Sequence, residues 1–174
     1  MEKKKCPQCK NLIFITSPTC LHCGRPNKFI TKEYVNKKWK NNSVVLDSWF
    51  AFNASIEINE KTSSIEKLFK NKFFDSKSPN TLRAILNTFV TRNSNFHAKD
   101  GSGYKYIAKK IIDFDKLNPI VISRFVKVFS RYNYYSDPYK SNMIETIKHI
   151  KKNKLSTNTK EVLDAIIEWL IDVI

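Results

Sequence analysis

Apolar residues recur at helical spacing along most of the 174-residue chain, from about residue 30 to its C-terminal end. In one stretch the interval between them alternates between three positions and one, which places them on one face of a helix. These inward positions are Leu82, Ile85, Leu86, Phe89 and Val90. Comparable faces are formed by Ile65, Leu68 and Phe69; by Tyr104, Ile107, Ala108 and Ile111; by Ile122, Phe125, Val126, Phe129 and Tyr132; by Met143, Ile144, Ile147 and Ile150; and by Val162, Ile166, Trp169, Leu170 and Val173. The pattern predicts a mainly α-helical protein.

Polar residues followed by proline mark the expected helix starts. Ser78-Pro79, Asn118-Pro119 and Asp137-Pro138 each place a polar residue ahead of a first-turn proline. Ser63 and Glu66 have the spacing of a capping box, in which each side chain bonds the backbone of the other. Short connections favour antiparallel neighbours, so we expect an α-solenoid-like bundle of antiparallel helix pairs.

The N-terminal end follows a different pattern. Its four cysteines form two C-x-x-C pairs separated by ten residues: Cys6, Cys9, Cys20 and Cys23. Two such pairs are the usual way to build a tetrahedral metal site, and the β-like run from Leu12 to Ile15 lies between them. We therefore predict a small β zinc ribbon over residues 1–28 and a helical domain over residues 29–174.

Three alternatives compete with zinc at the four cysteines. Two disulfides would use the same residues, a redox C-x-x-C would follow a strand of a thioredoxin-like fold, and rubredoxin-like iron normally has a longer gap between the pairs. We favour one structural Zn²⁺ per chain. Its site would be closed by four protein ligands, so the metal would fold the module without catalysing a reaction, and His22 would not be needed as a ligand.

Charge and composition narrow the function classes. The chain has 31 Lys and Arg against 16 Asp and Glu, and residues 1–43 carry ten against two. A basic excess attracts nucleic acid, although lysines also keep a helical surface solvated. Four thiolates with Zn²⁺ leave a charge of −2 beside these lysines, which makes nucleic acid the lesser alternative. Only three glycines are present, and no dinucleotide or P-loop motif occurs.

Neither a membrane span nor a signal peptide is expected. The most apolar run, from Val162 to Ile174, is short and interrupted by Asp164, Glu168 and Asp172. The basic N-terminus leads into the cysteine motif and not into an apolar segment. We expect no membrane partner and a cytoplasmic location, where thiols stay reduced.

One loop concentrates unusual residues. The segment from Phe96 to Tyr104 holds two of the three glycines, and its motif residues are His97, Asp100, Gly101, Ser102, Gly103 and Tyr104. We interpret it as a structural turn between helices in which Asp100 or Ser102 caps the following helix. As a phosphate cradle it is weaker, because no strand precedes it. We expect His97 to be a buried, hydrogen-bonded loop residue and not a general base, because no nucleophile or partner carboxylate is evident.

Three stretches carry a family resemblance: S-P-N-T-L-R-A-I-L-N-T-F (78–89), N-F-H-A-K-D-G-S-G-Y (95–104) and L-N-P-I-V-I-S-R-F (117–125). Together they resemble the C-terminal helical domain of bacterial alanyl aminopeptidase, a zinc metallopeptidase of the gluzincin type, and the resemblance covers about residues 30–174. The cysteine motif lies outside it. In that family catalysis belongs to a separate domain with H-E-x-x-H, a motif that the three histidines here do not form.

The resemblance implies a domain without chemistry of its own. In the family this domain lines a substrate channel, and two of its arginines match Arg83 and Arg124. Their guanidinium groups would steer peptide carboxylates, or they would simply make ion pairs or cap carbonyl groups. We therefore expect a protein that is not an enzyme. It would bind a protein or peptide, with a separate catalytic aminopeptidase chain as an alternative partner.

Overall fold

The computed structural model describes residues 3–14, 17, 20–24, 42–56 and 62–171, the last three by their backbone alone. The chain divides into two compact units, residues 1–46 and 47–174. We call residues 3–24 the cysteine module and the described residues from 47 onward the helical body. The boundary predicted at residues 28 and 29 lies outside the described residues and stays a prediction.

A two-stranded antiparallel sheet forms the regular part of the cysteine module. Strand β1 (Lys3–Lys5) pairs with β2 (Leu12–Phe14), with Lys4 opposite Ile13. Strand β2 confirms the run predicted from Leu12, whose last residue, Ile15, is not among the described residues. Strand β1 was not predicted, because three consecutive lysines show no alternation of apolar and polar positions.

Helices make up most of the rest of the described chain, which confirms the mainly α-helical class. In chain order they are α1 (Ser43–Ser55), α2 (Ser63–Phe69), α3 (Pro79–Arg92), the 3₁₀ helix η1 (Ser94–His97), α4 (Ser102–Phe114), α5 (Pro119–Val126), the 3₁₀ helix η2 (Lys127–Tyr134), α6 (Tyr139–Lys151) and α7 (Thr157–Ile171). The interval predicted as one helix around Phe125 and Phe129 thus changes from α to 3₁₀ at Lys127. None of these helices is both long and apolar enough to cross a membrane.

Helix starts mostly follow the capping signals in the sequence. The Ser78 hydroxyl accepts a hydrogen bond from the Thr81 N–H at 3.3 Å, and Pro79 begins α3 as predicted. Asp137 accepts from the Ser141 N–H at 3.2 Å beside the start of α6. Helix α2 begins at Ser63 with Thr62 as its N-cap, and the Glu66 carboxylate of the predicted capping box contacts Lys110 and Tyr106 of α4.

The core of the helical body joins residues from every α-helix between α1 and α7. Helix α5 packs most extensively against α7, and α4 packs most extensively against α6. Each of these two helices thus contacts the α-helix that lies two places further along the chain. Its largest fully buried side chains are Tyr104, Tyr132, Phe50, Phe89, Phe129, Ile65, Leu82, Ile85, Leu86, Ile107, Ile111 and Ile122. Most inward positions read from the spacing are buried, whereas Leu163 of α7 is buried without having been predicted. The predicted positions Trp169, Leu170 and Val173 fall outside the described side chains.

Two buried polar side chains tie distant segments together. Asp115, at the end of α4, accepts hydrogen bonds from the Ser156 N–H and hydroxyl and from the Thr159 hydroxyl, which fixes the start of α7. Asn93 donates to the carbonyl groups of Ala54 and Ile56 at the end of α1. Such groups are costly to bury without partners, so these contacts hold the segments in register.

Candidate metal centre and candidate binding residues

The four cysteines meet in one cluster. Their sulfur atoms all lie within 4.8 Å of one another. The Sγ atoms of Cys6 and Cys23 are 3.9 Å apart, and those of Cys9 and Cys20 are 3.6 Å apart. Cys6 and Cys20 are buried together with Ile13, whereas Cys9 and Cys23 are half-buried. The structure thus brings together all four cysteines that the sequence singled out.

Both C-x-x-C pairs have the same backbone form. The Lys10 N–H donates to the Cys6 carbonyl at 3.0 Å, and the Gly24 N–H donates to the Cys20 carbonyl at 2.8 Å. The residue after each pair is left-handed, with φ of 62° at Lys10 and 69° at Gly24. Glycine adopts this conformation freely, but lysine does so at a cost.

The surroundings of Cys6 favour its thiolate. Backbone N–H groups of Cys9 and Gln8 point at its sulfur and lower the pKa of the Cys6 thiol to about 6. With this lowered pKa the thiol loses its proton readily at neutral pH, and the resulting thiolate is the form that binds a metal ion. The neighbouring strand presents three exposed lysines, Lys3 to Lys5, on the same small unit.

Tetrahedral coordination accounts for the sulfur separations. With metal–sulfur bonds of about 2.3 Å, the sulfurs of a tetrahedron lie about 3.8 Å apart, close to the observed distances. A disulfide requires about 2.05 Å, and all four cysteines are free. The exposed His22 is not part of the cluster. The residues therefore fit one metal ion, and the geometry suits zinc and iron alike.

Arg83 and Arg124 are exposed on α3 and α5. The Arg83 guanidinium donates to the Asn80 side-chain oxygen at a long 3.5 Å. Neither arginine makes an ion pair with another described residue. The alternative that these arginines serve to form ion pairs therefore finds no support within this part of the chain. Their suggested role toward a peptide stays a prediction.

The loop from His97 to Tyr104 is built as a turn. The Asp100 carboxylate accepts from the Ser102 N–H at 3.0 Å, and the N-cap of α4 is Gly101, which is left-handed with φ of 70° and has no side chain to cap the helix. A Cβ atom at Gly103 would lie 2.2 Å from the Asn95 carbonyl oxygen. Helix α4 can therefore start this close to η1 only with glycine at position 103.

His97 packs inside this turn as a hydrogen-bonded residue. A hydrogen bond of 2.7 Å joins its Nδ1 to the Tyr104 hydroxyl, and its ring stacks on Tyr135 at 5.0 Å. Partial burial lowers the pKa of His97, so the ring is neutral at physiological pH. No carboxylate is hydrogen-bonded to it among the described residues, and its structural role stays a prediction.

Sequence reasoning missed a buried charge in the helical body. The Lys110 ammonium is 2.7 Å from Glu66 Oε2, with 5% of the lysine side chain exposed, and it lies over the Phe69 ring at 4.3 Å. The Tyr106 hydroxyl donates to the same carboxylate oxygen at 3.0 Å. Burial alone would raise the pKa of Glu66, but hydrogen bonds from Lys110 and Tyr106 outweigh it and hold that pKa below its usual range. The available signal was the position of Lys110 beside Ile107 and Ile111 on the apolar face of α4.

Comparison with known proteins identifies the helical part. Residues 20–168 match the family described as a domain of unknown function, DUF3458_C, ARM repeats. The match begins at Cys20, in the second C-x-x-C pair, whereas the sequence motifs indicated a resemblance that begins at about residue 30.

Aminopeptidase N proteins from three bacteria are similar to the chain. The Escherichia coli protein is 28% identical over 123 residues, covering 70% of this chain and 14% of its own length. The proteins from Haemophilus influenzae and Caulobacter vibrioides are 29% and 27% identical, covering 57% and 74% of this chain and 12% and 16% of their own lengths. The chain thus spans about a seventh of the relatives it matches.

A solved structure shows the same fold. The crystal structure of Legionella pneumophila aminopeptidase A in complex with aspartic acid matches 78% of this chain and 16% of its own chain. The TM-score is 0.70 at 27% sequence identity. These similarities confirm the resemblance to the C-terminal helical domain of the alanyl aminopeptidase family.

Proposed function

Since the chain belongs to the DUF3458_C family of ARM-repeat domains, we propose that it is a non-catalytic binding module carrying a structural zinc site. The four-cysteine cluster carries this proposal. A metal held by four thiolates has no open position for a substrate or an activated water. The sequence contains no H-E-x-x-H, and the cysteines form the one cluster of potential metal ligands among the residues that the structure describes.

Zinc would be held by Cys6, Cys9, Cys20 and Cys23. When bound it would link the two C-x-x-C turns and supply folding free energy to a module with few buried side chains. Metal analysis of the purified chain should give about one zinc per chain. Cobalt exchange should give the absorption of a tetrahedral thiolate site, whereas a red iron-containing protein would contradict zinc.

Activity measurements test the non-catalytic part. The zinc-loaded chain should release no nitroaniline from alanine p-nitroanilide, with a complete aminopeptidase N as the positive control. Turnover that follows the protein through two purification steps and disappears with a Cys20→Ser variant would overturn the proposal. Turnover that separates from the chain would instead mark a contaminating enzyme.

The helical body would bind a protein or peptide. The exposed guanidinium groups of Arg83 and Arg124 support this, because arginine binds carboxylates with two parallel hydrogen bonds. Exchanging both for glutamine should weaken peptide capture without lowering thermal stability. Exchanging the exposed Arg92 for glutamine is the matched control.

An alternative is an accessory subunit of a separate catalytic aminopeptidase chain. The observation favouring it is the 27–29% identity to one short part of aminopeptidase N proteins. Addition of this chain should then change the kcat or KM of that catalytic partner. Unchanged kinetics at saturating concentration would remove this alternative.

Nucleic acid is a second alternative, favoured by the exposed lysines of β1. A gel shift that weakens steeply with salt would support it, since phosphate contacts release counterions. Absence of a shift at micromolar protein would exclude it.

The four free thiols suit the reducing cytoplasm, which we propose as the location.

A further inference from the structure

An open groove runs between η2 and α7 of the helical body. Its volume is about 600 Å³, and it is lined by Lys127, Ser130, Arg131, Tyr134, Glu161, Val162, Ala165 and Ile166. It contains none of the residues predicted as metal ligands, peptide-binding arginines or members of the loop motif. One wall comes from a 3₁₀ helix and the other from an α-helix, so each wall presents its side chains at a different spacing.

The wall from η2 carries positive charge and an aromatic ring. Side chains three positions apart in a 3₁₀ helix lie above one another, which aligns Arg131 with Tyr134 and Lys127 with Ser130. Tyr134 is 87% exposed, which is unusual for so large a ring. The Ser130 hydroxyl donates to the Lys127 carbonyl at 2.8 Å and is already used within η2.

The wall from α7 is mainly apolar. Val162 and Ile166 are one helical turn apart, as are Glu161 and Ala165. Ile166 is 6% exposed and forms the floor, while the small side chain of exposed Ala165 leaves the groove open above it. The groove therefore combines an apolar floor with a basic edge.

The positive charges of this groove are not neutralised within it. Glu161 is the one acidic residue in the lining, against Lys127 and Arg131, and no ion pair joins it to either of them. The next carboxylate of α7, Asp164, pairs with Lys151 at 3.1 Å instead. Charge complementarity therefore selects an acidic partner, and the apolar floor selects one that also carries apolar side chains.

We propose that this groove binds an extended segment of a partner protein in which acidic and apolar side chains alternate. The eight residues of η2 span about 16 Å, which matches about five residues of an extended peptide. This assignment rests on the proposed binding function and names the surface and the class of partner for it.

Three fluorescein-labelled peptides test the assignment on the full zinc-loaded chain. One alternates leucine with glutamate, one leucine with lysine, and one serine with glutamate. The leucine–glutamate peptide should bind saturably and about tenfold more tightly than either of the others, because both the apolar floor and the basic edge contribute. Equal binding of the serine–glutamate peptide, or no saturable binding of any peptide, would overturn the proposal.

Two variants locate the binding. Arg131→Glu reverses the basic edge, and Ala165→Trp fills the groove at an exposed position. Each should weaken binding of the leucine–glutamate peptide about tenfold, whereas Arg92→Glu, with the same change in net charge, should alter it less than about twofold. Binding that both variants leave unchanged would place the peptide elsewhere, which contradicts the groove but leaves the proposed function standing. Helical circular dichroism at 222 nm serves to confirm that each variant is folded.

Discussion

The cysteine module and the helical body are stabilised in different ways. Among the described residues of the module the buried apolar cluster consists of Cys6, Ile13 and Cys20, so two of its three members are candidate metal ligands. In the body a single cluster extends from Phe50 to Ile166 and includes residues from every α-helix between α1 and α7. With so little apolar burial among its described residues, the module is expected to depend on a bound metal, whereas the body has enough core to fold by packing.

This difference predicts that each unit can be damaged without unfolding the other. The module should respond to metal removal and to changes in its turns, whereas the body should respond to changes in its core and its buried charges.

Loss of one thiolate should have the largest effect. Cys20→Ser removes a proposed ligand that is 1% exposed, and should remove with it most of a metal-binding free energy of about 10 kcal/mol. We expect zinc content to fall to near zero while the circular dichroism at 222 nm is largely retained. His22→Ser, an exposed change in the same turn, should keep the zinc. Collapse of the helical signal in Cys20→Ser would show that the two units are not independent.

A single methyl group should disrupt the body. In Gly103→Ala the new Cβ atom would meet the Asn95 carbonyl oxygen at 2.2 Å, and a backbone atom cannot move aside as a flexible side chain can. We expect the free energy of unfolding to fall by about 3 kcal/mol, measured by urea denaturation, with zinc content unchanged.

The neighbouring Ser102 provides the control for that substitution. Its buried hydroxyl has no hydrogen-bond partner among the described residues, so Ser102→Ala should be neutral or slightly stabilising. Equal destabilisation by both substitutions would mean that the contact at Gly103 is not the cause.

The buried ion pair should respond differently to the loss of each partner. Glu66→Gln leaves the almost fully buried Lys110 without its counter-charge, and we expect a loss of about 2 kcal/mol because Glu66 itself is partly exposed. Lys110→Met should cost less, since methionine fills the space beside Phe69 and leaves a carboxylate that reaches water. A larger loss from Lys110→Met in the same urea titrations would contradict this account.

Acid titration gives an independent test of the same pair. The pKa of Glu66 is lower in the folded than in the unfolded chain. The ionised carboxylate therefore makes its full contribution to the free energy of unfolding at pH values above its ordinary pKa of 4.5. That contribution is lost as the pH falls through the lowered folded pKa. The difference in unfolding free energy between the native chain and Glu66→Gln should therefore shrink below pH 4.5.

Features that depend on local spacing were predictable from the sequence. The paired cysteines, the Ser78 cap and the buried face of α4 all follow from residues close together in the chain. The contact of Glu66 with Lys110 was not, because nothing near Glu66 indicates a partner on another helix. The change to a 3₁₀ helix after Val126 was also hidden, since an apolar spacing of three or four residues suits either helix. The groove beside Tyr134 was not predictable either, because it depends on how the 3₁₀ helix η2 packs against α7.

The smallest predicted effect concerns the two turns of the cysteine module, which differ at the one position where each is left-handed. Lys10 adopts φ of 62° where the other turn has Gly24, and a residue with a Cβ atom bears a cost of about 1 kcal/mol there. Lys10→Gly should relieve it and raise zinc affinity about fivefold, measured by competition with a chelator. Lys10→Ala removes the side-chain hydrogen bond to the Pro7 carbonyl but keeps the Cβ atom, so affinity should not rise. An equal gain from both variants would show that the lysine side chain, and not the backbone conformation, limits metal binding in this module.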